Sequence, residues 1–179
     1  QIGVSFKGSG SYVPNQILTN HDLSEKVDTN DEWIKSRTGI SQRRISALDE
    51  DVSQMGYKAA LEAIKMTKWD IDTIDLIILA TSTPSDLFGS APSIQEKLGA
   101  SNAVAFDLTA ACSGFLFAAI TASQFLKTGS YKRAIVIGSD QLSSYIDWND
   151  RRSCILFGDG AGAIAIEATA NFDNLIGFD

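Results

Sequence analysis

Histidine and cysteine, the residues most often used for metal binding and thiol chemistry, are scarce in this sequence. It contains one histidine, His21, and two cysteines, Cys112 and Cys154, among 179 residues. His21 lies in the polar stretch "TNHDLSE" and lacks the partners that a zinc site needs. The two cysteines could form one disulfide, but a chain of this length can bury a core without it. We therefore expect no metal chemistry and reduced thiols in a cytoplasmic protein.

Positive charge and long apolar runs are limited as well. The sequence has 15 Lys and Arg against 22 Asp and Glu, a formal net charge of -7. This balance argues against nucleic acid and anionic membrane surfaces as partners of the whole chain. No apolar run approaches the roughly 20 residues that span a bilayer, and no signal-peptide pattern opens the sequence. We expect neither a nucleic-acid nor a membrane partner.

Strand-like and helix-like patterns alternate along the chain. The apolar runs "IDLIILAT", "AVAFDLTA", "RAIVIGS" and "GAIAIEA" are typical of buried strands. Between them, "SQMGYKAALEAIKM" and "SAPSIQEKLGA" have the spacing and end signals of helices. This order predicts an α/β fold in which a mixed or parallel sheet has helices on both faces. Without a repeat or linker, residues 1–179 are expected to form one α/β unit.

The stretch "FDLTAACSGF", residues 106–115, places Cys112 between a predicted strand and a predicted helix. Free N–H groups and the positive dipole end at a helix start favour a thiolate nucleophile. Its neighbours are small, so a substrate carbonyl could approach, and the Cys112 N–H could form half of an oxyanion hole. The alternative interpretation is a cysteine that simply fills a core. The position of Cys112 favours the nucleophile.

The other two candidate reactive residues are predicted to have structural or solvent-exposed roles. Cys154 in "CILFG" is predicted to fill the core from an apolar strand. His21 is predicted to lie at a solvated helix start, so it is a poor candidate for the general base of Cys112. The sequence therefore offers a nucleophile without an evident base.

Four stretches, "GSGSYVP", "DTNDEWIKSRTGISQRR", "DLTAACSGF" and "RRSCILFGDGAGA", resemble β-ketoacyl-acyl carrier protein synthase III in order and spacing. That family initiates type II fatty acid synthesis. The resemblance implies a thiolase-like fold of two similar halves, each a five-stranded mixed sheet with helices. Residues 1–179 resemble the N-terminal half. We expect the other half, with the family's catalytic histidine and asparagine, to come from a second fragment or a longer chain.

The resemblance also implies the reaction and its partners. Cys112 would accept an acyl group, usually acetyl, from acyl-CoA, and the acyl-enzyme would condense with malonyl-acyl carrier protein and release carbon dioxide. Acyl-CoA is then a substrate, and no cofactor is expected. Family members are homodimers, and the strand "AVAFDLT" is where the partner sheet would pair.

The coenzyme-binding residues are implied by the same resemblance. Trp33, Arg37 and Thr38 match residues that hold coenzyme A, with the indole stacked on adenine. Spaced four apart on a helix, Trp33 and Arg37 share a face, and an aromatic ring beside a guanidinium suits adenine and phosphate. The alternative is a surface cation–π pair. Arg151 matches a further coenzyme contact, but the adjacent Arg152 leaves open which arginine faces the phosphate.

Leu87 and Phe88 in "PSDLFGSAP" resemble a loop that lends an apolar wall to the partner subunit's acyl pocket. A hydrophobic staple at the entry of the following helix explains them equally well. The stretch "FGDGAGA" lacks the Lys-Ser/Thr of a P-loop, and its glycines are expected to allow close backbone packing.

Three other functions remain open on the sequence. One is a related polyketide-starter or alkylquinolone-type synthase, because the acyl pocket decides the substrate. Another is a non-catalytic half-domain kept for interaction, which would not need the small-walled Cys112. The third is a redox thiol protein in which Cys112 pairs with Cys154 or is oxidised.

Overall fold

The computed structural model of the chain describes residues 2–170 and 172–175. Seven strands and five helices follow one another in an alternating α/β order. They are β1 (Gly3–Tyr12), β2 (Gln16–Thr19), α1 (Asn20–Ser24), α2 (Asp31–Thr38), β3 (Gln42–Ile45), α3 (Val52–Thr67), β4 (Leu76–Ala80), α4 (Ala91–Leu98), β5 (Val104–Leu108), α5 (Gly114–Lys127), β6 (Arg133–Gln141) and β7 (Asp159–Thr169).

Five of the strands form one mixed sheet in the order β1-β7-β6-β4-β5. The β4 strand pairs in parallel with both β5 and β6, whereas β7 pairs antiparallel with both β1 and β6. The predicted mixed sheet is confirmed, and β5 forms one of its edges. All five residues of β4 are buried, as expected of a strand in the middle of a covered sheet.

Helices cover both faces of this sheet, as predicted. The helices α3 and α4 pack on the face to which Ile77 and Leu79 point. The helix α5 packs on the opposite face, against Leu76 and Ile78. Side chains alternate between the two faces of a strand, so β4 must be apolar at every position to serve two cores. No helix in the described part of the chain is both long enough and apolar enough to cross a membrane.

A smaller layer holds the antiparallel pair β2 and β3 together with α1 and α2. Its core contains Leu18, Leu23 and Ile34 together with Cys154 and Ile155. The predicted strand around Cys154 is wrong, because residues 151–156 form a turn. In that turn the Cys154 N–H donates to the Asp150 carbonyl at 3.0 Å. The apolar character of "CILFG" reflects burial of this turn in the small core.

Candidate functional site

Cys112 lies where it was predicted, between a strand and a helix. A short 3-10 helix, Ala111–Ser113, joins the end of β5 to the start of α5. The Ser113 N–H donates to the Ala110 carbonyl at 3.1 Å, and the Gly114 N–H donates to the Ala111 carbonyl. Cys112 is a free thiol and is exposed. The turn therefore presents the sulfur at the amino end of α5, open to an incoming reactant.

The backbone of this turn is strained. Ala111 has a φ of 47°, in the left-handed region that costs a non-glycine residue roughly 1–2 kcal/mol. Strain of this kind concentrates at functional sites. The helix that follows begins close to β4, since a Cβ on Gly114 would lie 3.3 Å from the Ala80 Cβ. The small residues around Cys112 thus allow a sharp passage from sheet to helix, and the left-handed conformation of Ala111 was not predicted from the sequence.

A groove of about 580 Å³ lies along β5 and the loop after β4. One wall is the loop after β4, with Leu87 and Phe88, and the other runs from Ala105 to Thr109. Leu87 and Phe88 are 92% and 90% exposed, so the helix-entry staple is not formed. The apolar-wall interpretation of these two residues stays a prediction.

Asp107 on β5 binds the start of α4 beside this groove, and the sequence analysis did not identify it. Its carboxylate oxygens accept hydrogen bonds from the N–H groups of Ser90 and Ala91, each at 2.7 Å. These are the N-cap and first residue of α4, whose positive dipole end favours an anion. An acidic residue inside the apolar strand "AVAFDLTA" was the signal that could have identified it.

Trp33, Arg37 and Arg151 form one cluster. The Trp33 N–H donates to the Asn30 side chain at 2.8 Å, which caps α2 and fixes its first turn. The guanidinium carbon of Arg37 lies 5.7 Å from the centroid of the Trp33 ring, and that of Arg151 lies 4.8 Å from it. Arg151 also donates to the Asp28 carboxylate at 3.2 Å. The structure therefore places Arg151 beside the Trp33–Arg37 pair of α2.

The Arg152 side chain points toward Asp150. Its Nε donates to the Asp150 carboxylate at 3.0 Å, and its side chain is 87% exposed. Hydrogen bonding and charge from Arg152 hold the pKa of Asp150 below its ordinary value. Of the two neighbouring arginines, Arg151 is thus the one that contacts the Trp33 cluster.

Thr38 has a local role at the end of α2. Its hydroxyl donates to the Ile34 carbonyl at 2.8 Å and accepts from the Ile40 N–H at 3.0 Å. Both contacts lie within the helix end and the residue that follows Gly39. Thr38 therefore stabilises the carboxyl end of α2 next to Arg37, and its hydroxyl proton is donated to the Ile34 carbonyl.

The remaining cysteine and the histidine have the environments that were expected. Cys154 is free and fully buried, and burial raises the pKa of its thiol. His21 is on α1 with its side chain exposed, 3.8 Å from the Glu25 carboxylate. The described residues include no group of three His, Cys, Asp or Glu side chains placed to hold a metal ion.

In the stretch "FGDGAGA", the expected close packing is found at Gly158 but not at Gly162, where a Cβ would meet nothing within 4 Å. A Cβ on Gly158 would lie 2.9 Å from the Arg43 Cβ and 3.0 Å from the Arg44 carbonyl oxygen. Beside it, Asp159 is buried and accepts hydrogen bonds from the Ser46 N–H at 2.7 Å and the Ser143 hydroxyl at 2.6 Å. This segment therefore ties the small layer to the start of β7.

Comparison with known proteins relates the chain to one group of enzymes. The family model described as 3-oxoacyl-[acyl-carrier-protein (ACP)] synthase III matches residues 106–179. A β-ketoacyl-[acyl-carrier-protein] synthase III of Prochlorococcus marinus strain MIT 9515 is 85% identical over 178 residues, which cover 99% of this chain and 53% of that protein. The chain thus spans about half the length of the curated relatives it matches.

Solved structures agree with this relationship. The 3-oxoacyl-[acyl-carrier-protein] synthase III from Aquifex aeolicus VF5 superposes with a TM-score of 0.91 at 45% identity, over 95% of this chain and 55% of that one. A priming β-ketosynthase from the R1128 polyketide biosynthetic pathway superposes with a TM-score of 0.90 at 35% identity, over 93% of this chain and 50% of that one. The sheet with helices on both faces is one half of a thiolase-like fold.

Proposed function

Because the chain is similar to β-ketoacyl-[acyl-carrier-protein] synthase III over about half of that enzyme's length, we propose that it is the acyl-accepting half of a condensing enzyme that initiates type II fatty acid synthesis. The observation that carries this proposal is the exposed Cys112 on a strained turn at the start of α5.

In the proposed first step, the Cys112 sulfur attacks the thioester carbonyl of acyl-CoA, with acetyl as the expected group. A new carbon–sulfur bond forms, the bond to the coenzyme sulfur breaks, and coenzyme A leaves as a thiol that carries the cysteine proton. The Cys112 N–H is the proposed partial oxyanion hole for the tetrahedral intermediate. Acyl-CoA acts as a substrate, and we propose no resident cofactor.

In the proposed second step, malonyl-acyl carrier protein loses carbon dioxide and its enolate carbon attacks the acyl group on Cys112. The bond between the acyl carbon and the Cys112 sulfur breaks, and the products are 3-ketoacyl-acyl carrier protein and the Cys112 thiolate, which takes a proton from water. We propose that the enolate is stabilised by the histidine and asparagine of the other half, supplied by a second fragment or a longer chain. This half alone is then able to bind the donor and carry the acyl group without completing the condensation.

The Trp33 cluster supports the choice of coenzyme A as donor. An indole ring offers a stacking surface for adenine, and Arg37 and Arg151 lie close enough to it to contact phosphates bound beside that ring. The chain as a whole has a net charge of -7 and therefore does not attract phosphate groups in general. Local arginines must therefore provide the recognition.

We further propose a cytoplasmic homodimer that pairs through β5. This strand is a sheet edge, and its first residue, Val104, is 47% exposed. An unpaired strand edge can accept a second strand through its backbone groups. In such a dimer, Leu87 and Phe88 would provide an apolar wall to the acyl pocket of the partner.

The test is the intact mass of the source protein before and after incubation with acetyl-CoA, with Cys112→Ser as the control. An acetyl adduct that disappears in the variant supports the proposal. A source protein of natural length that remains unmodified by acetyl-CoA and by longer acyl-CoA thioesters contradicts it. The matched control Cys154→Ser is expected to retain the adduct, because Cys154 is buried away from solvent.

A polyketide-starter synthase is the second candidate. The similarity to the R1128 priming β-ketosynthase, at 35% identity over 93% of this chain, is the observation that favours it. The two functions share the acyl-Cys112 intermediate and differ in the acyl group and the acceptor carrier protein. Acylation by longer or branched acyl-CoA in preference to acetyl-CoA would favour the starter synthase.

A further inference from the structure

Arg43 on β3 is a buried cation that forms no ion pair within the described residues. It is 5% exposed. Its Nη1 donates to the Asn20 Oδ1 at 2.9 Å, its Nη2 donates to the Ile155 carbonyl at 2.8 Å, and its Nε is buried without a hydrogen-bond partner. Burial lowers the pKa of Arg43, yet a guanidinium stays protonated in proteins. Keeping an unpaired charge inside the fold is costly.

The Nη1 side of Arg43 leads to helix α2. Its acceptor, Asn20, is 1% exposed, and the Asn20 amide donates to the Asp31 carboxylate at 3.0 Å and to the Ile40 carbonyl at 2.7 Å. Asp31 is the first residue of α2, and Ile40 is the second residue after the helix ends. One amide group therefore holds both ends of the helix that carries Trp33.

The Nη2 side of Arg43 leads to the turn that carries Arg151. Ile155 belongs to the turn of residues 151–156, in which the Ser153 and Cys154 N–H groups both donate to the Asp150 carbonyl. The Ile155 side chain is buried in the same small core as Ile34 of α2. The Arg43 guanidinium thus contacts the Arg151 turn directly through Nη2 and reaches α2 indirectly, through Nη1 and the Asn20 side chain. The Arg43 Nη1 also donates to the Leu18 carbonyl of β2 at 3.2 Å.

We propose that Arg43 is a positioning residue of the coenzyme site, which fixes the Arg151 turn against α2 so that Trp33 and Arg151 are in place before the ligand binds. This inference rests on the proposed function only in the identity of the ligand. Arg43 itself is buried and does not contact the coenzyme. It acts by reducing the ordering that the site must undergo on binding.

The adjacent residue, Arg44, provides a matched control. Arg44 lies on the same strand and is half-buried, but its Nη1 donates to the Pro14 carbonyl at 2.9 Å. It makes no hydrogen bond to α2 or to the Arg151 turn in the structure described here. Replacing Arg44 therefore removes the same charge and the same number of atoms without removing the link.

The first experiment compares Arg43→Met and Arg44→Met in the source protein at its natural length. The KM for acyl-CoA is expected to rise about 10-fold in Arg43→Met, while kcat and the KM for malonyl-acyl carrier protein stay within about 2-fold, because a loosened site loses binding rather than chemistry. Arg44→Met should leave all three constants unchanged. A folded Arg43→Met with an unchanged KM for acyl-CoA, or an equal effect of both variants, would overturn the proposal.

A second readout does not depend on activity. Protein labelled with 5-fluorotryptophan gives a fluorine resonance for Trp33, which is assigned by its loss in Trp33→Phe. The Trp33 resonance is expected to shift in Arg43→Met and to stay in place in Arg44→Met, with Trp69 as the internal reference beside Arg133. If acyl-CoA does not react with the source protein, the proposed function fails while this measurement still decides the role of Arg43. A Trp33 resonance that does not move contradicts that role.

Arg43→Lys covers the case in which Arg43→Met fails to fold. An ammonium keeps the charge but cannot span Asn20 and Ile155 with a planar fork. The KM for acyl-CoA and the Trp33 resonance should therefore change in the same direction, by a smaller amount. If both equal the wild-type values in a folded Arg43→Lys, charge alone suffices and the positioning role is wrong.

Discussion

The guanidinium carbon of Arg151 lies 4.8 Å from the centroid of the Trp33 ring, although the two residues are far apart in the sequence. Arg37, one helical turn after Trp33, lies 5.7 Å from the same centroid. Two cations this close together repel each other, and the Asp28 carboxylate, 3.2 Å from the Arg151 Nη1, offsets part of that repulsion. The cluster therefore places an aromatic surface and positive charge side by side.

Arg151→Met is predicted to weaken coenzyme binding. A charge-assisted contact to phosphate contributes roughly 1.5–3 kcal/mol, so we expect the KM for acyl-CoA and the Kd for free coenzyme A to rise at least about 10-fold. Steady-state kinetics and titration calorimetry measure the two constants. Arg152→Met is the control, because Arg152 bonds to Asp150 and its side chain is 87% exposed. A larger loss in Arg152→Met than in Arg151→Met would show that the wrong arginine has been assigned.

Features that depend on local sequence were predictable. Strand β4 was identified by its unbroken apolar run, and Cys112 by its place between an apolar strand and a helix with small neighbours. The Trp33–Arg37 pair was implied by the family resemblance, and the helical spacing of four residues agreed with it. These patterns are local because backbone periodicity and capping act over a few residues.

Features that depend on distant parts of the chain were not predictable in the same way. Nothing in the stretch "SQRR" distinguishes the buried Arg43 from a surface arginine, because its acceptors, the Asn20 side chain and the Ile155 carbonyl, lie elsewhere in the sequence. The stretch "CILFG" was predicted as a strand because its side chains are apolar, whereas residues 151–156 form a turn whose backbone is decided by tertiary packing. The left-handed Ala111 has no signal in the sequence, since alanine is not a residue that prefers this conformation.

Asp107→Ala is predicted to lower the free energy of unfolding by about 1–2 kcal/mol. The substitution removes the acceptor of two N–H groups at the start of α4 and an anion at the positive end of that helix. Urea unfolding followed by circular dichroism measures the change. Asp107→Asn keeps one acceptor oxygen and should lose less.

Asp86→Ala is the control for Asp107. Asp86 is exposed and accepts a hydrogen bond from the Phe88 N–H at 2.9 Å within its own loop. Its removal should cost less than about 0.5 kcal/mol, as for other surface positions. Equal losses at Asp86 and Asp107 would contradict the capping role of Asp107.

Glu50 is predicted to make stability depend on pH in the acid range. A hydrogen bond from the Tyr12 hydroxyl, followed by one from the Ala47 N–H, holds the pKa of Glu50 below its ordinary value of 4.5. A depressed carboxyl pKa gives stability that is present above the unfolded value and is lost as pH falls through the folded value. The stability difference between wild type and Glu50→Gln should therefore shrink as the pH is lowered from about 6 to about 3.

The control for Glu50 is Glu62→Gln on α3. Glu62 forms an exposed pair with Lys65 at 2.7 Å, and such surface pairs contribute little. Thermal unfolding across the same pH range should give parallel curves for wild type and Glu62→Gln. Parallel curves for wild type and Glu50→Gln would mean that the Tyr12 contact does not stabilise the charged form of Glu50.

Ala111→Gly tests the strain next to Cys112. Glycine adopts a φ near 47° without the penalty that Ala111 bears, so the variant is expected to gain roughly 0.5–1 kcal/mol in the free energy of unfolding. Ala119→Gly is the matched control: Ala119 lies inside α5, in ordinary helical backbone, and glycine in a helix interior should cost about 0.5–1 kcal/mol. Urea unfolding measures both variants.

The same pair of variants separates strain from function. If the left-handed Ala111 serves only to pass the chain from β5 to α5, Ala111→Gly should be more stable and should take the acetyl group at the wild-type rate. If the rigid alanine is needed to hold the Cys112 sulfur toward the substrate, the more stable variant should be acylated more slowly. A loss of stability in Ala111→Gly would show that the turn is not strained, and the structural account of the Cys112 turn would then be wrong.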